Sequence, residues 1–502
     1  MNVFVEYLPS GETNLIIEKD GKKNPVYSRH SPGRDGLRFF KGNYEAGCDL
    51  YVLIGLGLGY HIEPFVQEQS VEKVVVLEPF EEVYTAVRSF EMVKRILTHP
   101  KVEVIWGQEV EKFIKEMKGR YDFLFHKKIR VFSYPPLRRL FQPLYGGVEK
   151  RLREALNTLI DDSLTIAHFA RTWLRNFSAN INKGEWVRPL ASITGSCRGT
   201  AVVTGAGPSL DRWVGGLKKK RSAFFLIAPD ASVKPLIQCG ITPDLLISID
   251  PQPLVWSHFS GIQDSVLKSI PVVLSPLSNP RLFDTFKNRY IYFTSHPTTR
   301  LFPPDVVRSN LITQVGSVGT LALRIALMMG FEHILLAGFD FSYPGMKAYA
   351  KGSFFYEYCI GCSSRTAPQQ THEAALLRRS TGMAEVAAGQ FLLSSENLLR
   401  YRREMEELVG HRGSARIQQL SGGLTIRGAV QVTEIPEMGG FNRKRDASMR
   451  ISLSEGVALD MRTIQMLTVS LALRYRMLKH LDNTEAYERS KEYLRKMYNL
   501  RQ

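Results

Sequence analysis

The stretch that decides the fold lies between residues 201 and 251: AVVTGAGPSLD (201–211), FFLIAPDA (224–231) and GITPDLLISIDP (240–251). Val202, Val203 and Thr204 are β-formers that run into the small-residue turn Gly205-Ala206-Gly207-Pro208-Ser209. The order reads strand, glycine turn, helix, strand, helix, strand. Asp230 and Asp250 arrive at the ends of the second and third strands. In an open parallel sheet those carboxyl ends share one edge, where ligands bind. Small residues in the first turn let backbone approach a ligand closely, and the following helix offers N–H groups to an anion. The stretch predicts a Rossmann-like α/β unit with a phosphate-bearing ligand at its edge.

Downstream, PVVLSP (271–276) and RYIYFTSHP (289–297) predict two more strands. Gly316-Ser317-Val318-Gly319 predicts a second small-residue turn, followed by an apolar helix over 320–329 and a strand over 333–337 ending in Gly338-Phe339-Asp340. This is a second phosphate-sized cradle, with backbone N–H groups and a hydroxyl at a helix start. Residues 370–410 predict helix, with TGMAEVAAGQFLL (381–393) as its buried face. IQQLSGGLTIRGAVQV (417–432) predicts two strands around a Gly-Gly turn, and 455–501 two amphipathic helices.

Upstream, DLYVLIGLGLGYHIEPFVQE (49–68) is an apolar strand, then Gly55, Gly57 and Gly59, then a helix. KVVVLEP (73–79) sets Glu78 at the next strand end; KVEVIWG (101–107) and YDFLFH (121–126) complete four strands. This second Rossmann-like unit is either a nucleotide or S-adenosylmethionine pocket or a scaffold with a tight turn. Residues 148–181 are helical, as one long helix or two packed ones. The whole chain divides into a short β element (1–45), an N-terminal Rossmann-like domain (46–145), a helical connector (146–195), a central catalytic domain (196–365), a helical insert with closing strands (366–435) and C-terminal helices (436–502).

Bulk composition narrows the class. Apolar residues are 44% and charged residues 23% of 502, as in globular proteins. No apolar run reaches membrane-spanning length and no signal peptide is legible, so cytoplasm is expected. Five cysteines do not suggest a disulfide framework, and the lone Cys359/Cys362 pair lacks a second pair at zinc spacing. The net charge of +17 is spread through helical segments and interleaved with acids. That pattern favours a basic surface for an anionic substrate, a protein partner or a membrane face over a nucleic-acid groove.

GAGPSLD, GITPDLLISIDP, VGSVGTLA and LAGFDFSYPG followed by YAKGS, in this order, resemble the motility-associated factor (Maf) family of flagellin glycosyltransferases, whose central domain is also called MptE-like. The resemblance covers roughly residues 170–430. The central domain also resembles bacterial sialyltransferases, with their G-x-G-P-S-L turn and their two tyrosines six residues apart, here Tyr343 and Tyr349. Ala206, Asp230 and Asp250 stand where those enzymes carry Asn.

The resemblance implies transfer of a nonulosonic acid, of pseudaminic or legionaminic type, from a CMP donor to Ser or Thr of flagellin, with no essential metal. Gly205, Ala206, Gly207, Pro208, Ser209, Asp230 and Asp250 would hold the nucleotide, together with Gly316, Ser317 and Gly319. Tyr343 and Tyr349 would serve the departing phosphate, and Lys347 and Lys351 the sugar carboxylate. His372 is the candidate base, with His296 and Asp340 as the other choices. Asp230 and Asp250 face ribose or base hydroxyls, or else hold Mg²⁺ as in the 6-hydroxymethylpterin diphosphokinases that this domain also resembles. A non-catalytic scaffold that binds flagellin or a nucleotide is the third reading. A flagellin-sized acceptor needs a docking surface, for which the basic C-terminal helices are the candidate; they could equally mediate homo-oligomer contacts.

Overall fold

The structure is a computed structural model and describes residues 2–107, 114, 128–182, 186–294, 299, 302, 304–312, 316–379, 384–387, 390–443 and 451–452. It is mixed α/β with Rossmann-like parallel sheets, and it divides into two compact units, built on residues 1–168 and 169–468.

In the first unit, strands β1 (Asn2–Tyr7), β2 (Thr13–Lys19) and β3 (Lys22–Pro25) form an antiparallel sheet. A helix follows at Pro32–Asn43, where the sequence pattern predicted only short strands and turns. Gly33, Gly36 and Gly42 depress its intrinsic propensity, but burial of Phe39 in the unit's core outweighs that cost. Four parallel strands, β4 (Leu50–Ile54), β5 (Lys73–Glu78), β6 (Val102–Trp106) and β7 (Ile129–Ser133), stand in the order β6-β5-β4-β7. The sequence reading did not mark β7; YDFLFH at 121–126 lies outside the described residues. Residues 142–182 form one helix, Gln142–Asn182, so the predicted connector is a single helix rather than two.

The second unit carries the large sheet. Its strands are β8 (Trp186–Pro189), β9 (Cys197–Thr204), β10 (Phe225–Pro229), β11 (Leu245–Ile247), β12 (Val272–Leu274), β13 (Arg289–Ile291) and β14 (His333–Ala337). After a separate hairpin of β15 (Ala384–Ala387) and β16 (Gln390–Leu393) come β17 (Arg416–Leu420), β18 (Val430–Val432), β19 (Phe441–Arg443) and β20 (Ile451–Ser452). The order is β18-β17-β14-β9-β10-β11-β12-β13-β8-β20, parallel from β18 to β8, with β19 antiparallel on β9. Both faces are covered, which explains why Val202, Leu226, Leu246, Val272 and their alternates Val203, Ile227, Ile247 and Val273 are all buried.

Two expectations change here. Residues 384–393 form a hairpin, not the buried face of a helix: β15 pairs antiparallel with β16. Gly382 and Gly389, within the 381–393 segment, cost a helix about 1 kcal/mol each. The strands on either side of Gly422-Gly423 are parallel neighbours, not a hairpin. The loop between them leaves the sheet to close over the end of β14, where Leu424 N–H donates to the Asp340 carbonyl at 2.8 Å.

Candidate functional site

The sheet of the second unit is built outward from β9 through β10, β11, β12 and β13; the chain then returns to the opposite side of β9 with β14. The crevice between the carboxyl ends of β9 and β14 is thus the topological switch point. Gly205 N–H donates to the Ala337 carbonyl at 2.7 Å and Gly207 N–H to the Gly338 carbonyl at 3.0 Å; Ser209 N–H donates to Asp340 Oδ2 at 2.8 Å. A Cβ on Gly205 would strike the Gly338 carbonyl, and one on Gly207 would meet the Asp340 carboxylate at 2.5 Å. The smallness of both glycines is therefore used to fit the two turns together. Asp340 is buried, its carboxyl is pushed up by burial, and its bond to Ser209 clasps the crevice. Phe341, just beyond, is held at φ +48°, an uncommon conformation for a side chain of that size.

The chain after Phe341 folds back over the first turn. Ala350 N–H donates to the Ala206 carbonyl at 2.9 Å and Lys351 N–H to Asp211 Oδ1 at 2.9 Å. This loop carries Tyr343 and Tyr349, and it meets the Gly205–Ser209 turn at Ala350, the residue after Tyr349. Tyr349 stacks on Phe355 with ring centroids 4.8 Å apart. Burial raises its hydroxyl pKa, and neighbouring Tyr343 and Tyr401 raise it further. Tyr401, on the helix Glu396–Gly410, was not singled out by the sequence; nothing local marks it, because the fold brings it there from outside the motif. The helix Gln369–Arg379 packs on the short 3₁₀ turn Pro344–Met346 between the two tyrosines. It carries His372, whose Nε2 is buried without a hydrogen-bond partner among the described residues. Lys347 is half-buried and Lys351 exposed on the same loop. His296 lies outside the described residues.

The two aspartates differ. Asp230 begins the helix Asp230–Gln238; its Oδ1 accepts from Ala231 N–H at 2.8 Å and its Oδ2 from the Ser248 hydroxyl at 2.9 Å. Oδ2 thus ties the ends of β10 and β11 together, and burial pushes the carboxyl up to about 7. Asp250 Oδ1 accepts from Gln252 N–H at 2.8 Å; burial raises its pKa, and nearby His258 counteracts the rise. Among the described residues, no cluster of three or more His, Cys, Asp or Glu side chains is arranged for a metal ion. Cys359 is buried, Cys362 exposed, and both are free thiols.

The predicted second cradle holds an anion that belongs to the chain. Gly316 N–H donates to Glu404 Oε2 at 2.7 Å, and a Cβ on Gly316 would collide with that carboxylate. Ser317 caps the helix Val318–Met329 by accepting from Thr320 N–H at 3.0 Å. Gly319 packs against the Phe339 ring. Gly316→Ala is expected to push the flexible end of Glu404 off its donor and to cost about 1 kcal/mol in a denaturant titration. A loss several times larger means that backbone moves instead.

The glycine turn of the first unit is filled in the same manner. Leu58 N–H donates to the Tyr27 hydroxyl at 3.0 Å, and that hydroxyl shares a hydrogen bond with His61 Nδ1 at 3.2 Å. His61 stacks on Tyr134 at 3.8 Å. Glu78 accepts from Leu56 N–H, Phe80 N–H and the Tyr145 hydroxyl. The residues that would serve a nucleotide serve the unit's own core, which favours the scaffold reading for this turn.

With this geometry in view, comparison with known proteins is informative. Residues 39–94 match the glycosyltransferase Maf N-terminal domain, and residues 174–345 match the 6-hydroxymethylpterin diphosphokinase MptE-like domain. The chain thus carries a Maf N-terminal domain match and an MptE-like domain match in sequence. The Maf fold extends over the chain: a solved structure of a Maf glycosyltransferase from Magnetospirillum magneticum AMB-1 aligns with a TM-score of 0.60 and 14% identity, over 99% of this chain and 82% of that one. Three proteins of Treponema pallidum (strain Nichols), each described as uncharacterized, are 26%, 22% and 20% identical over 144, 190 and 270 residues. The matches span 28%, 37% and 52% of this chain, and 68%, 64% and 46% of those proteins. The match to the glycosyltransferase Maf N-terminal domain supports glycosyltransferase as the enzyme class. No helix among the described residues is long and apolar enough to cross a membrane.

Proposed function

We propose that the second unit transfers a nonulosonic acid, of pseudaminic or legionaminic type, from a CMP donor to Ser or Thr hydroxyls of flagellin in the cytoplasm. The observation that carries this reading is the return of the Tyr343–Tyr349 loop onto the Gly205–Ser209 turn, through Ala350 to Ala206 and Lys351 to Asp211. On this reading the two phenols of that loop serve a nucleotide phosphate at the switch point. Tyr343 and Tyr349 stabilise charge on the departing phosphate, and Lys347 and Lys351 are the cations offered to the sugar carboxylate. His372 takes the acceptor's proton; its buried Nε2 has no hydrogen-bond partner among the described residues. Asp230 shapes the pocket floor through β10 and β11 rather than reaching for phosphate. The C-terminal helices proposed for acceptor docking or self-association lie outside the described residues.

A ligand-stabilisation experiment tests the reading. CMP at 100 times its Kd is expected to stabilise the full chain by about 2.7 kcal/mol with EDTA present. A response only to ATP with Mg²⁺ would move the chain to the diphosphokinase class. No response to either nucleotide would leave a scaffold.

A further inference from the structure

The short 3₁₀ helix Pro253–Phe259 follows β11 and packs on the helix Asp230–Gln238. It carries His258, which no motif singled out. The imidazole lies 6.2 Å, centroid to centroid, from both Phe354 and Phe355. Phe355 in turn stacks on Tyr349. On its other side His258 interacts with the Asp250 carboxylate at the end of β11. His258 is therefore within electrostatic reach of Asp250 and linked through Phe355 to Tyr349 of the tyrosine loop. Its Nδ1 is buried with no hydrogen-bond partner among the described residues. A buried, unpaired ring nitrogen is desolvated without compensation, and a ligand that pairs with it recovers that cost.

The aromatic wall is itself anchored. Glu357, on the helix Phe354–Gly361, pairs with the buried Lys234 and accepts from Gln238 Nε2 at 2.9 Å. That pairing ties the wall to the helix beneath His258.

On the reading that the donor is a CMP-linked sugar, we propose that His258, supported by Asp250, is the proton donor to the leaving phosphate. The bond from the anomeric carbon to the phosphate oxygen breaks, and its electron pair leaves with that oxygen. The His258 imidazolium proton moves to the phosphate. The acceptor oxygen bonds to the anomeric carbon and gives its proton to His372. Water restores both histidines to their starting states.

The charged and titratable groups around His258 are few. Asp250 faces it, with Asp230 beyond. The Lys234–Glu357 pair lies on the adjoining helices, with Lys234 Nζ 3.4 Å from the Ser260 hydroxyl. Arg281 lies over Trp256 on the same short helix. The imidazole pKa is lowered by burial, and Asp250 opposes that fall only in part. Binding of an anionic phosphate adds to the Asp250 effect and favours the imidazolium.

The test is the pH–rate profile of the full chain with a CMP-linked nonulosonic acid, read as transfer and as donor hydrolysis without acceptor. His258→Gln is expected to lower kcat by on the order of 10²-fold, to leave KM unchanged and to abolish the alkaline limb. Asp250→Asn is expected to move that limb to lower pH while His258 remains. Melting with and without CMP shows that both variants fold and bind. A His258→Gln protein that keeps kcat and its alkaline limb overturns the proposal, as does Asp250→Asn with an unmoved limb. If the parent protein neither binds CMP nor hydrolyses the donor, the donor assignment fails and this proposal falls with it.

Discussion

Asp230→Asn is expected to melt above the parent protein at pH 8 and level with it near pH 4. The Asp230 carboxyl is 5% exposed, and burial pushes its pKa up to about 7, with Asp250 contributing in the same direction. The unfolded value is about 3.9. Between these values the folded chain holds a proton that the unfolded chain has lost. The folded state binds more protons, so stability falls as pH rises through this window, then stays level above it. A shift of this size corresponds to roughly 2–4 kcal/mol at pH 8. Asparagine keeps both contacts: Oδ1 accepts from Ala231 N–H, and Nδ2 donates to the Ser248 hydroxyl once that rotor turns. The gain in the variant is read by denaturant titration at pH 4, 6 and 8. A variant destabilised equally at every pH would mean that the ionised carboxylate is held by its two hydrogen bonds more strongly than burial opposes it. Glu78, pushed by burial up to about 7 in the first unit, titrates over the same window. The variant should therefore flatten the pH dependence in part, not wholly.

The same residue shows how far sequence reasoning reaches. Asp230 was legible as a strand-end acid, because the β-former run 225–228 and the helix after it fix its place at the carboxyl edge. That it turns back to Ser248 was not, since Ser248 belongs to a neighbouring strand and only the pairing of β10 with β11 brings the two together. The glycine turns show the same division. Strand, turn and helix could be read from Val202 to Leu210 and from Gly316 to Met329, because β-branched runs, small residues and apolar periodicity are local signals. What fills each turn was not local. Asp340 reaches Ser209 across 131 positions, and Glu404 reaches Gly316 across 88. In both turns a carboxylate of the chain accepts from the backbone N–H groups that the sequence had offered to phosphate. The hairpin at 384–393 was missed for another reason: alanine and leucine suit a helix, and pairing between strands outweighed propensity. Tyr401 and His258 lay in stretches that read as an ordinary helix and an ordinary loop. Their place beside the candidate site follows from packing alone.

Under the proposed chemistry, replacing Tyr343 and Tyr349 together with phenylalanine should lower kcat by on the order of 10³-fold, with either change alone costing about 10²-fold. Both hydroxyls would act on one developing charge, so the two effects need not multiply. Phenylalanine retains the ring of Tyr349 against Phe355, and the backbone bonds of the loop, from Tyr343 N–H to the Leu393 carbonyl and from Ala350 to Ala206, do not involve the hydroxyls. Loop placement and CMP-induced stabilisation should therefore persist. The raised pKa of Tyr349 keeps its proton in place across the neutral range, as a hydrogen-bond donor to phosphate requires. A structural role predicts the opposite pattern: a lower melting temperature, a weaker response to CMP, and kcat close to that of the parent in the fraction that folds. Single-turnover rates with a CMP-linked donor separate the two, because they report the bond-breaking step without product release. If the doubly substituted protein turns over at the parent rate, neither tyrosine serves the leaving group. The stacked pair Tyr349–Phe355 would then be a wall of the pocket and nothing more.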